Sequence, residues 1–363
     1  MTNRLSTDLD SMLARTEPLW SELRGGRILI TGATGFFGCW LLESFAWANR
    51  RLNLGAHTVA LSRHPHTLAA KAPHLAGDPA ITLHAADIRD GKFPSGQFWH
   101  VIHAAAEASA KLNTEAPLVM FDTIVEGTRR TLEFSSNSSV RRFLFVSSGA
   151  VYGTQPPNVT HVDESFEGGP NPLDPANAYA EGKRAAELLC ALARSSSLEP
   201  TIARCFAFVG PYMQLDTHFA IGNFISDRLH DRPIQVRGDG SAVRSYLYAS
   251  DLMVWLWTIL FKGRPGRAYN VGSEEAVNIA ALAREVAAAL PPEPEVRISS
   301  SSIADAPLHR YVPSTARARE ELGLLGEVPL REAIGRTHRW FSQDTSSSNI
   351  TARTSVATRS AHA

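Results

Sequence analysis

The sequence has no excess of positive or negative charge, because its 363 residues include 36 lysines and arginines and 36 aspartates and glutamates. This balance argues against a polyanion-binding surface as the main activity. Long apolar runs are also missing, since no stretch approaches the ~18–20 residues of a membrane span. The first residues, MTNRLSTDLDSM, are polar and contain no apolar signal-peptide core. We therefore predict a cytoplasmic protein that has neither nucleic acid nor a membrane as its partner.

Cysteine and metal-binding patterns are sparse as well. The three cysteines, Cys39, Cys190 and Cys205, are scattered and none lies in a CxxC pair, which argues against a disulfide framework. The histidines are dispersed, without an H-E-x-x-H motif or a carboxylate cluster, so no metal site is predicted. Hydrophobic residues make up 44% of the chain, which is enough for a sizeable core.

Short β-rich segments alternate with helical segments from Arg27 onward. The strand segments read RILITG, TVALSR, ITLHAADI, HVIHAAA, RFLFVSSGA and PTIARCFAFVG. This alternation predicts an α/β fold, a doubly wound parallel sheet (Rossmann fold) with helices on both faces. A looser pattern after Gly210 predicts a smaller C-terminal α/β substrate lobe. We expect a helical lead-in (1–26), a dinucleotide-binding domain (27–210), a mainly substrate-binding lobe (211–341) and a disordered tail (342–363).

The segment ILITGATGFFG places Gly32, Gly35 and Gly38 between a predicted strand and a predicted helix. Gly32 would allow a tight turn, Gly35 a close approach of the backbone to a pyrophosphate, and Gly38 close helix–sheet packing. The free N–H groups at the helix start would face the phosphates. A purely structural turn is the alternative. The strand–turn–helix context favours a dinucleotide site, with Phe36 and Phe37 among its contacts.

The ends of the following strands supply further candidate cofactor contacts. An acidic residue ending the second strand would read a ribose 2′-hydroxyl, whereas an arginine would pair with a 2′-phosphate. Ser62 stands where the acid would lie and Arg63 follows, which favours NADP(H) over NAD(H), a solvated loop charge being the alternative for Arg63. Asp87, after the third strand, is placed either to accept from the adenine amino group or to cap the chain locally. Ile88 beside it and Ala104, after the fourth strand, complete this set.

A Y-x-x-x-K sequence, formed by Tyr179 and Lys183, stands at the start of a predicted helix. Residues four apart share one helix face, so the ammonium would lie beside the phenol and lower its pKa from about 10. Tyr179 could then act as a general base while Lys183 holds the nicotinamide ribose. Alone, the pattern is common on surface helices. Its place after the strand that ends at Ser148 favours catalysis, with Ser148 donating a hydrogen bond to the reacting oxygen.

As a set, these motifs resemble those of the extended short-chain dehydrogenase/reductases, in particular the NAD(P)-dependent epimerases and dehydratases that act on nucleotide sugars. The resemblance covers about residues 27–330 and includes the segments VRSYLYASD and YNVGS. It implies that Ser148, Tyr179 and Lys183 form a catalytic triad.

The resemblance also implies substrate contacts and an oligomeric state. Asn223 and Arg244 match family residues that bind the substrate diphosphate, for which a helix cap and a surface ion pair are the respective alternatives. An arginine is apt, since its guanidinium can bind phosphate oxygens in a bidentate manner. Relatives often dimerise through the helices that lie here at about 117–137 and 178–196, so a homodimer is expected.

The residues after Ser148 bear on the reaction. Dehydratase members carry an Asp-Glu pair there and decarboxylases a Glu at the second position, whereas this chain has Gly149 and Ala150. Neither side chain can transfer a proton. We therefore predict C4 epimerisation of a nucleotide-activated hexose through a 4-keto intermediate. Glu107, which is similar to dehydratase members, is interpreted as accepting a hydrogen bond from a substrate hydroxyl, or else as an unusual acid or base.

Other departures keep further hypotheses open. Ala207 replaces a family asparagine and Ser314 replaces an aspartate, so expected contacts are missing. The alternatives are a 4-ketoreductase with exchangeable NADPH and a 4,6-dehydratase with an atypical acid or base. A non-enzymatic scaffold that senses a dinucleotide is the third alternative, against which the intact Ser148, Tyr179 and Lys183 set argues.

Overall fold

The computed structural model of the chain describes residues 3–106, 110–215, 219–289, 292–299 and 309–343. The strands are β1 (Arg27–Thr31), β2 (His57–Ser62), β3 (Ile81–Ala85), β4 (His100–His103), β5 (Arg142–Ser148), β6 (Glu199–Cys205), β7 (Phe208–Val209), β8 (Ile234–Val236), β9 (Val243–Arg244), β10 (Leu247–Tyr248), β11 (Ala268–Val271), β12 (Val277–Asn278), β13 (Val296–Ile298) and β14 (Arg310–Tyr311). The α-helices are α1 (Ser6–Thr16), α2 (Phe36–Arg51), α3 (Thr67–Lys71), α4 (Pro73–Ala76), α5 (Ala110–Glu115), α6 (Pro117–Asn137), α7 (Ala178–Ala193), α8 (Ala220–Leu229), α9 (Ala249–Lys262), α10 (Ile279–Ala288) and α11 (Ala316–Leu322). A further helix spans residues 330–343, and 3₁₀ turns lie at Glu17–Leu23, Gly149–Tyr152 and Pro175–Asn177.

The central sheet has seven strands in the order β11-β6-β5-β4-β1-β2-β3. All its neighbouring strands are parallel. Strands such as β5 are buried along almost their whole length, as expected for a parallel sheet covered on both faces. The predicted doubly wound Rossmann fold is therefore confirmed. Because the strand order reverses between β1 and β4, their carboxyl ends open a crevice in which such folds bind ligands.

Helices cover both faces of this sheet. α6 and α7 pack side by side, and α9 is buried from Ala249 to Phe261 on the opposite face. α1 lies against α2 and α9 and is tied down by ion pairs, since Arg15 contacts the buried Asp251 at 2.5 Å. No helix in the described part of the chain is long and apolar enough to cross a membrane.

The chain after Gly210 divides between the sheet and a smaller lobe. α9 and β11 return to the central sheet, whereas α8, α10, β8 and β13 enclose a second apolar core with Phe224 and Leu282 at its centre. Strand β14 pairs in parallel with β9, opposite Arg244. This pairing brings Tyr311 to the carboxyl edge of β5 and β6, where the candidate site lies.

Candidate active site

The glycine loop joins β1 to α2 at the crevice. Gly32 has φ +70°, and a Cβ there would lie 2.6 Å from the Ala104 carbonyl oxygen. A Cβ on Gly38 would lie 2.4 Å from the Gly32 oxygen, so both positions require glycine. Gly35 differs, because its Cβ would meet only the Gly32 oxygen, at 3.4 Å. The exposed backbone at Gly35, directly before the N-terminus of α2, fits a bound pyrophosphate.

Three other apolar members of the predicted cofactor set, Phe36, Phe37 and Ile88, pack against neighbouring elements. Phe36 and Phe37 are half-buried and their rings meet edge to face at 5.7 Å. Phe37 also packs on Phe208, with 5.3 Å between the ring centroids. Ile88 is buried against Gly127, where any Cβ would come within 2.7 Å of it. These contacts hold α2 and the segment after β3 next to the crevice at the carboxyl ends of β1 and β4.

Ser62 lies beside the glycine loop, at the end of β2. Its hydroxyl is 2.9 Å from the Thr34 hydroxyl, in the middle of the loop. The Lys71 ammonium, from α3, donates a hydrogen bond of 2.9 Å to the Thr34 carbonyl oxygen. Sequence reasoning missed Lys71, because nothing in its local pattern places α3 against the loop. The end of β2 thus gains a second nearby cation besides Arg63.

Asp87 acts as a local cap. Its carboxylate accepts from the Arg89 backbone N–H at 2.9 Å and from the Arg89 guanidinium at 3.0 and 2.9 Å. This pairing with Arg89 lowers the pKa of Asp87, and the charge of Arg63 lowers it further. The local capping role that the sequence left open for Asp87 is present in the structure, and its contact with an adenine amino group stays a prediction.

Ser148, Tyr179 and Lys183 come together where β5 meets α7. The Ser148 hydroxyl accepts a hydrogen bond of 3.1 Å from the Ala150 backbone N–H, and the Tyr179 phenol is within hydrogen-bonding reach of Ser148. Lys183 is buried, and its ammonium donates to the Val146 carbonyl oxygen at 2.7 Å. Its Nζ lies 5.9 Å from the centroid of the Tyr179 ring. The three side chains therefore share one site at the carboxyl edge of the sheet, the edge from which the glycine loop also leaves.

The direction of the Tyr179 pKa differs from the sequence-based expectation. Burial raises the pKa of Tyr179 to about 12, and the hydrogen bond with Ser148 offsets only part of this effect. Burial also lowers the pKa of Lys183 to about 8. The prediction that the neighbouring ammonium brings the phenol pKa down is therefore wrong, because burial outweighs the other influences.

A network of charged and polar side chains, which the sequence did not predict, links α7 to β5 and β6. The Glu187 carboxylate pairs with the Arg204 guanidinium at 2.7 Å and accepts from the Ser147 hydroxyl at 2.6 Å. Arg204 also donates to the Tyr152 hydroxyl at 2.9 Å, which donates to the Asn270 amide oxygen at 2.7 Å. Glu187 is one helical turn after Lys183, so this network fixes the face of α7 that carries the site.

His103, at the end of β4, is a buried histidine that joins β4 to β1 and α6. Its two ring nitrogens lie 2.8 Å from the Thr31 hydroxyl and 3.0 Å from the Thr128 hydroxyl. Burial lowers the pKa of His103 to about 3. The ring therefore stays uncharged at neutral pH.

A second phenol, which the sequence did not single out, lies at Ser148. The Tyr311 hydroxyl donates to the Cys205 carbonyl oxygen at 3.5 Å, so toward Ser148 it can act only as an acceptor. Its ring packs on Phe206, with 4.7 Å between the centroids. A Cβ on Gly149 would meet both the Tyr311 hydroxyl and the Phe206 ring at 2.7 Å.

The predicted substrate contacts lie on the C-terminal lobe. Asn223 is half-buried in the first turn of α8. Arg244, on β9, donates to the backbone oxygens of Val243 and His309 at 2.8 and 3.0 Å. Its positive charge lowers the pKa of Tyr311, although burial raises that pKa by more. Glu107 falls outside the described residues. Ser314 contributes its carbonyl oxygen, which accepts from the Asn270 amide at 3.0 Å.

Comparisons with known proteins agree with this architecture. The model of the NAD dependent epimerase/dehydratase family matches residues 28–272. UDP-glucuronic acid decarboxylase 1 of Arabidopsis thaliana is 28% identical over 312 residues, which cover 85% of this chain and 68% of the relative. The enzyme of the same name from Xenopus tropicalis is 28% identical over 326 residues, covering 89% and 74%.

Solved structures share the fold. UDP-glucose 4-epimerase of Thermotoga maritima, solved with UDP-glucose, superimposes with a TM-score of 0.73 at 20% identity, covering 88% of this chain and 99% of that one. The dTDP-glucose 4,6-dehydratase of Bacillus anthracis, solved with NAD, has a TM-score of 0.70 at 18% identity, with coverages of 88% and 97%. The family match spans the glycine loop, Ser148, Tyr179 and Lys183, and the chain belongs to the NAD dependent epimerase/dehydratase family of nucleotide-sugar enzymes.

Proposed function

We propose that this chain oxidises C4 of a nucleotide-activated hexose and then reduces the 4-keto sugar on its other face, which gives the C4 epimer. The observation that carries the proposal is the meeting of Ser148, Tyr179 and Lys183 at the carboxyl edge of the sheet, the edge from which the glycine loop also leaves. A bound nicotinamide supplies the hydride acceptor and donor. The net reaction is redox-neutral, because the hydride that leaves C4 returns to it.

The three side chains divide the work at the C4 oxygen. Ser148 donates a hydrogen bond to this oxygen, and Tyr179 takes its proton as the carbon loses hydride. The buried Lys183 ammonium, 5.9 Å from the centroid of the Tyr179 ring, would hold the nicotinamide ribose beside the phenol. Tyr179 then returns the proton when the ketone is reduced, so no external acid is required.

Epimerisation is favoured over elimination by what surrounds Gly149. Loss of water from C5 and C6 requires a base and an acid besides Tyr179. Gly149 and Ala150 provide neither, and Phe206 and Tyr311 leave no space for a side chain at residue 149. Reduction is therefore the reaction that remains for a 4-keto hexose bound at this site.

Decarboxylation of UDP-glucuronic acid is the second candidate, because relatives that carry this activity in their names align with 85–89% of the chain. A 4-keto uronic acid is a β-keto acid, which loses carbon dioxide without a dedicated acid beside C6. The lack of an acid or base at Gly149 and Ala150 therefore argues more strongly against dehydration than against decarboxylation. The two candidates share the first step, oxidation at C4, and differ in the substituent at C6 and in the step that follows.

The cofactor and diphosphate contacts complete the proposal. The cations of Arg63 and Lys71 near Ser62 favour NADP(H), whereas the family name specifies NAD alone. On the C-terminal lobe, Arg244 and Asn223 would bind the diphosphate of the nucleotide sugar. We place this chemistry in the cytoplasm.

A homodimer through α6 and α7 is part of the same proposal. Leu188 and Leu192 lie one turn apart on α7 and are 60% and 73% exposed, and Leu118 at the start of α6 is 69% exposed. Large apolar side chains grouped on two adjacent helices are typical of a protein–protein contact. Burial in a symmetric dimer would remove them from water.

The test is incubation of the purified chain, supplied with NAD or NADP, with UDP-, GDP-, CDP- and dTDP-hexoses and UDP-glucuronic acid. Chromatography and mass spectrometry should reveal an isomer of unchanged mass, and the matched Tyr179→Phe variant should not form it. A product lighter by carbon dioxide would establish the second candidate. A product lighter by water would show that the argument from Gly149 and Ala150 is wrong.

A further inference from the structure

Tyr179 is the second residue of α7, and the first turn of a helix is held less firmly than its middle. The first backbone N–H groups of a helix have no carbonyl partner within it. Asn177, which precedes α7, does not supply one, because its side chain makes no capping hydrogen bond. Its amide donates instead to the Asn171 carbonyl oxygen at 3.0 Å. The backbone of Tyr179 therefore takes its partner from elsewhere in the fold.

Asn113, on α5, is that partner. Its amide oxygen accepts a hydrogen bond of 3.0 Å from the Tyr179 backbone N–H, across 66 positions of the chain. Its amide nitrogen donates to the Ala176 carbonyl oxygen at 2.7 Å. A carbonyl and an N–H three residues apart are the pair that bond to each other in a 3₁₀ turn. The Asn113 amide bridges them instead, which uses both its acceptor and its donor.

This contact fixes the part of α7 from which the catalytic phenol projects. Lys183 and Glu187, which lie one and two turns further on, bind groups of β5 and β6 and so hold the middle of the helix. Asn113 holds the first turn, where Tyr179 lies. The position of the phenol matters for the rate, since a misplacement of about 1 Å can slow a reaction about a hundredfold.

We propose that Asn113 is a positioning residue of the reaction centre: its amide clamps the first turn of α7 and thereby places the Tyr179 phenol at the reacting oxygen. The idea rests on the proposed function, because that function makes Tyr179 the group that takes and returns the proton at C4. Asn113 acts through the backbone of Tyr179 and exchanges no proton itself. Proton transfer then depends on α5 as well as on β5 and α7.

The contact is tested without substrate, by hydrogen exchange at the Tyr179 backbone amide. The chain has seven tyrosines, so a sample labelled with ¹⁵N-tyrosine gives few amide signals, and Tyr179→Phe identifies the one of Tyr179. This amide should exchange about fivefold faster in Asn113→Ala, because it loses its hydrogen bond. It should keep its wild-type rate in the matched control Asn177→Ala. An unchanged rate in Asn113→Ala would overturn the proposal.

The role is tested by the kinetics of Asn113 variants with the nucleotide sugar that the panel identifies. Asn113→Ala should lower kcat about tenfold and change KM less than about twofold, since the phenol is misplaced while the diphosphate contacts remain. Asn113→Asp keeps the acceptor for the Tyr179 N–H and loses only the donor, so it should recover part of kcat. Asn177→Ala should match the wild type.

The contradicting results are equally specific. Wild-type kcat in Asn113→Ala, a rise in KM with kcat unchanged, or an Asn113→Asp variant as slow as Asn113→Ala would refute the positioning role. Cofactor affinity equal to that of the wild type shows that each variant is folded, so a loss of kcat is not a loss of folded protein.

The two experiments separate this proposal from the proposed function. If no nucleotide sugar reacts with the wild type, the proposed function fails, and the exchange rate still decides whether Asn113 holds Tyr179. If turnover is found and Asn113→Ala keeps the wild-type kcat, the function stands and the role of Asn113 is refuted.

Discussion

Replacement of Lys183 by methionine should stabilise the fold at neutral pH while it abolishes activity. Burial lowers the pKa of Lys183 from its ordinary 10.5 to about 8. At 1.36 kcal/mol per pH unit, this difference makes the charged form about 3 kcal/mol more costly in the folded chain than in the unfolded one. Methionine has a similar length and no charge. It forfeits the hydrogen bond to the Val146 carbonyl oxygen, which contributes about 1 kcal/mol, so a net gain of about 2 kcal/mol is expected at pH 7.

The sign of the pH dependence follows from linkage. Below pH 8 the lysine is protonated in both states, and the cost of burying its charge is fully present. Between pH 8 and 10.5 the unfolded chain binds the lysine proton and the folded chain does not, so wild-type stability rises with pH relative to the variant. The advantage of Lys183→Met should therefore fall from about 2 kcal/mol at pH 7 to near zero at pH 10.

Urea denaturation of both proteins at pH 7 and pH 10 measures this difference. Lys262→Met is the matched control, because Lys262 is exposed at the end of α9 and its replacement should give no pH-dependent gain. A Lys183→Met variant that is less stable than wild type at pH 7, or an advantage that is equal at both pH values, would refute the reasoning.

Three further predictions concern the cofactor, the dimer and the N-terminal helix. Arg63→Ala should weaken NADP binding roughly tenfold and leave NAD binding unchanged, measured by calorimetry, because it removes a charged phosphate contact; equal losses for both cofactors would contradict the NADP preference. Leu192→Glu should convert the dimer into a monomer in sedimentation, since it buries a carboxylate in the α6–α7 contact; a wild type that is already monomeric would disprove the interface. Asp251→Ala should lower the unfolding free energy by about 3 kcal/mol, because Arg15 loses a partner that is fully buried; a loss no larger than that of an exposed ion pair would show that α1 is held otherwise.

Local patterns were sufficient to predict the fold and the position of the glycine loop. The strand β5 follows from an apolar run, and α6, expected at about 117–137, is observed at Pro117–Asn137. Gly32 is required by its positive φ, and Gly38 by backbone contacts with Gly32 and Ala33, all inside one strand–turn–helix unit. Such contacts join neighbours in the chain, and the sequence therefore predicts them.

Contacts between distant segments escaped prediction. Tyr311 lies far along the chain from Ser148 and Gly149, and it is brought to them by the pairing of β14 with β9 and by the bridge between Pro313 and Val162. The helix at 330–343, which packs beneath the second core, was not predicted either.

The pKa of Tyr179 was predicted wrongly for a different reason. The spacing of Tyr179 and Lys183 indicated correctly that the two side chains share a helix face. It did not indicate how deeply the phenol is buried, and burial is the larger effect on its pKa. Charge interactions can be read from spacing, whereas desolvation depends on everything packed around the group.

The central claim is hydride transfer at C4, and it is tested most directly with the reactive nucleotide sugar deuterated at that carbon. A primary isotope effect on turnover and a product that keeps its deuterium at C4 are predicted, because the hydride returns to the carbon that it left. Loss of the deuterium to water would contradict the account, since it would mean that the carbon exchanges a proton and that no hydride is carried by the cofactor.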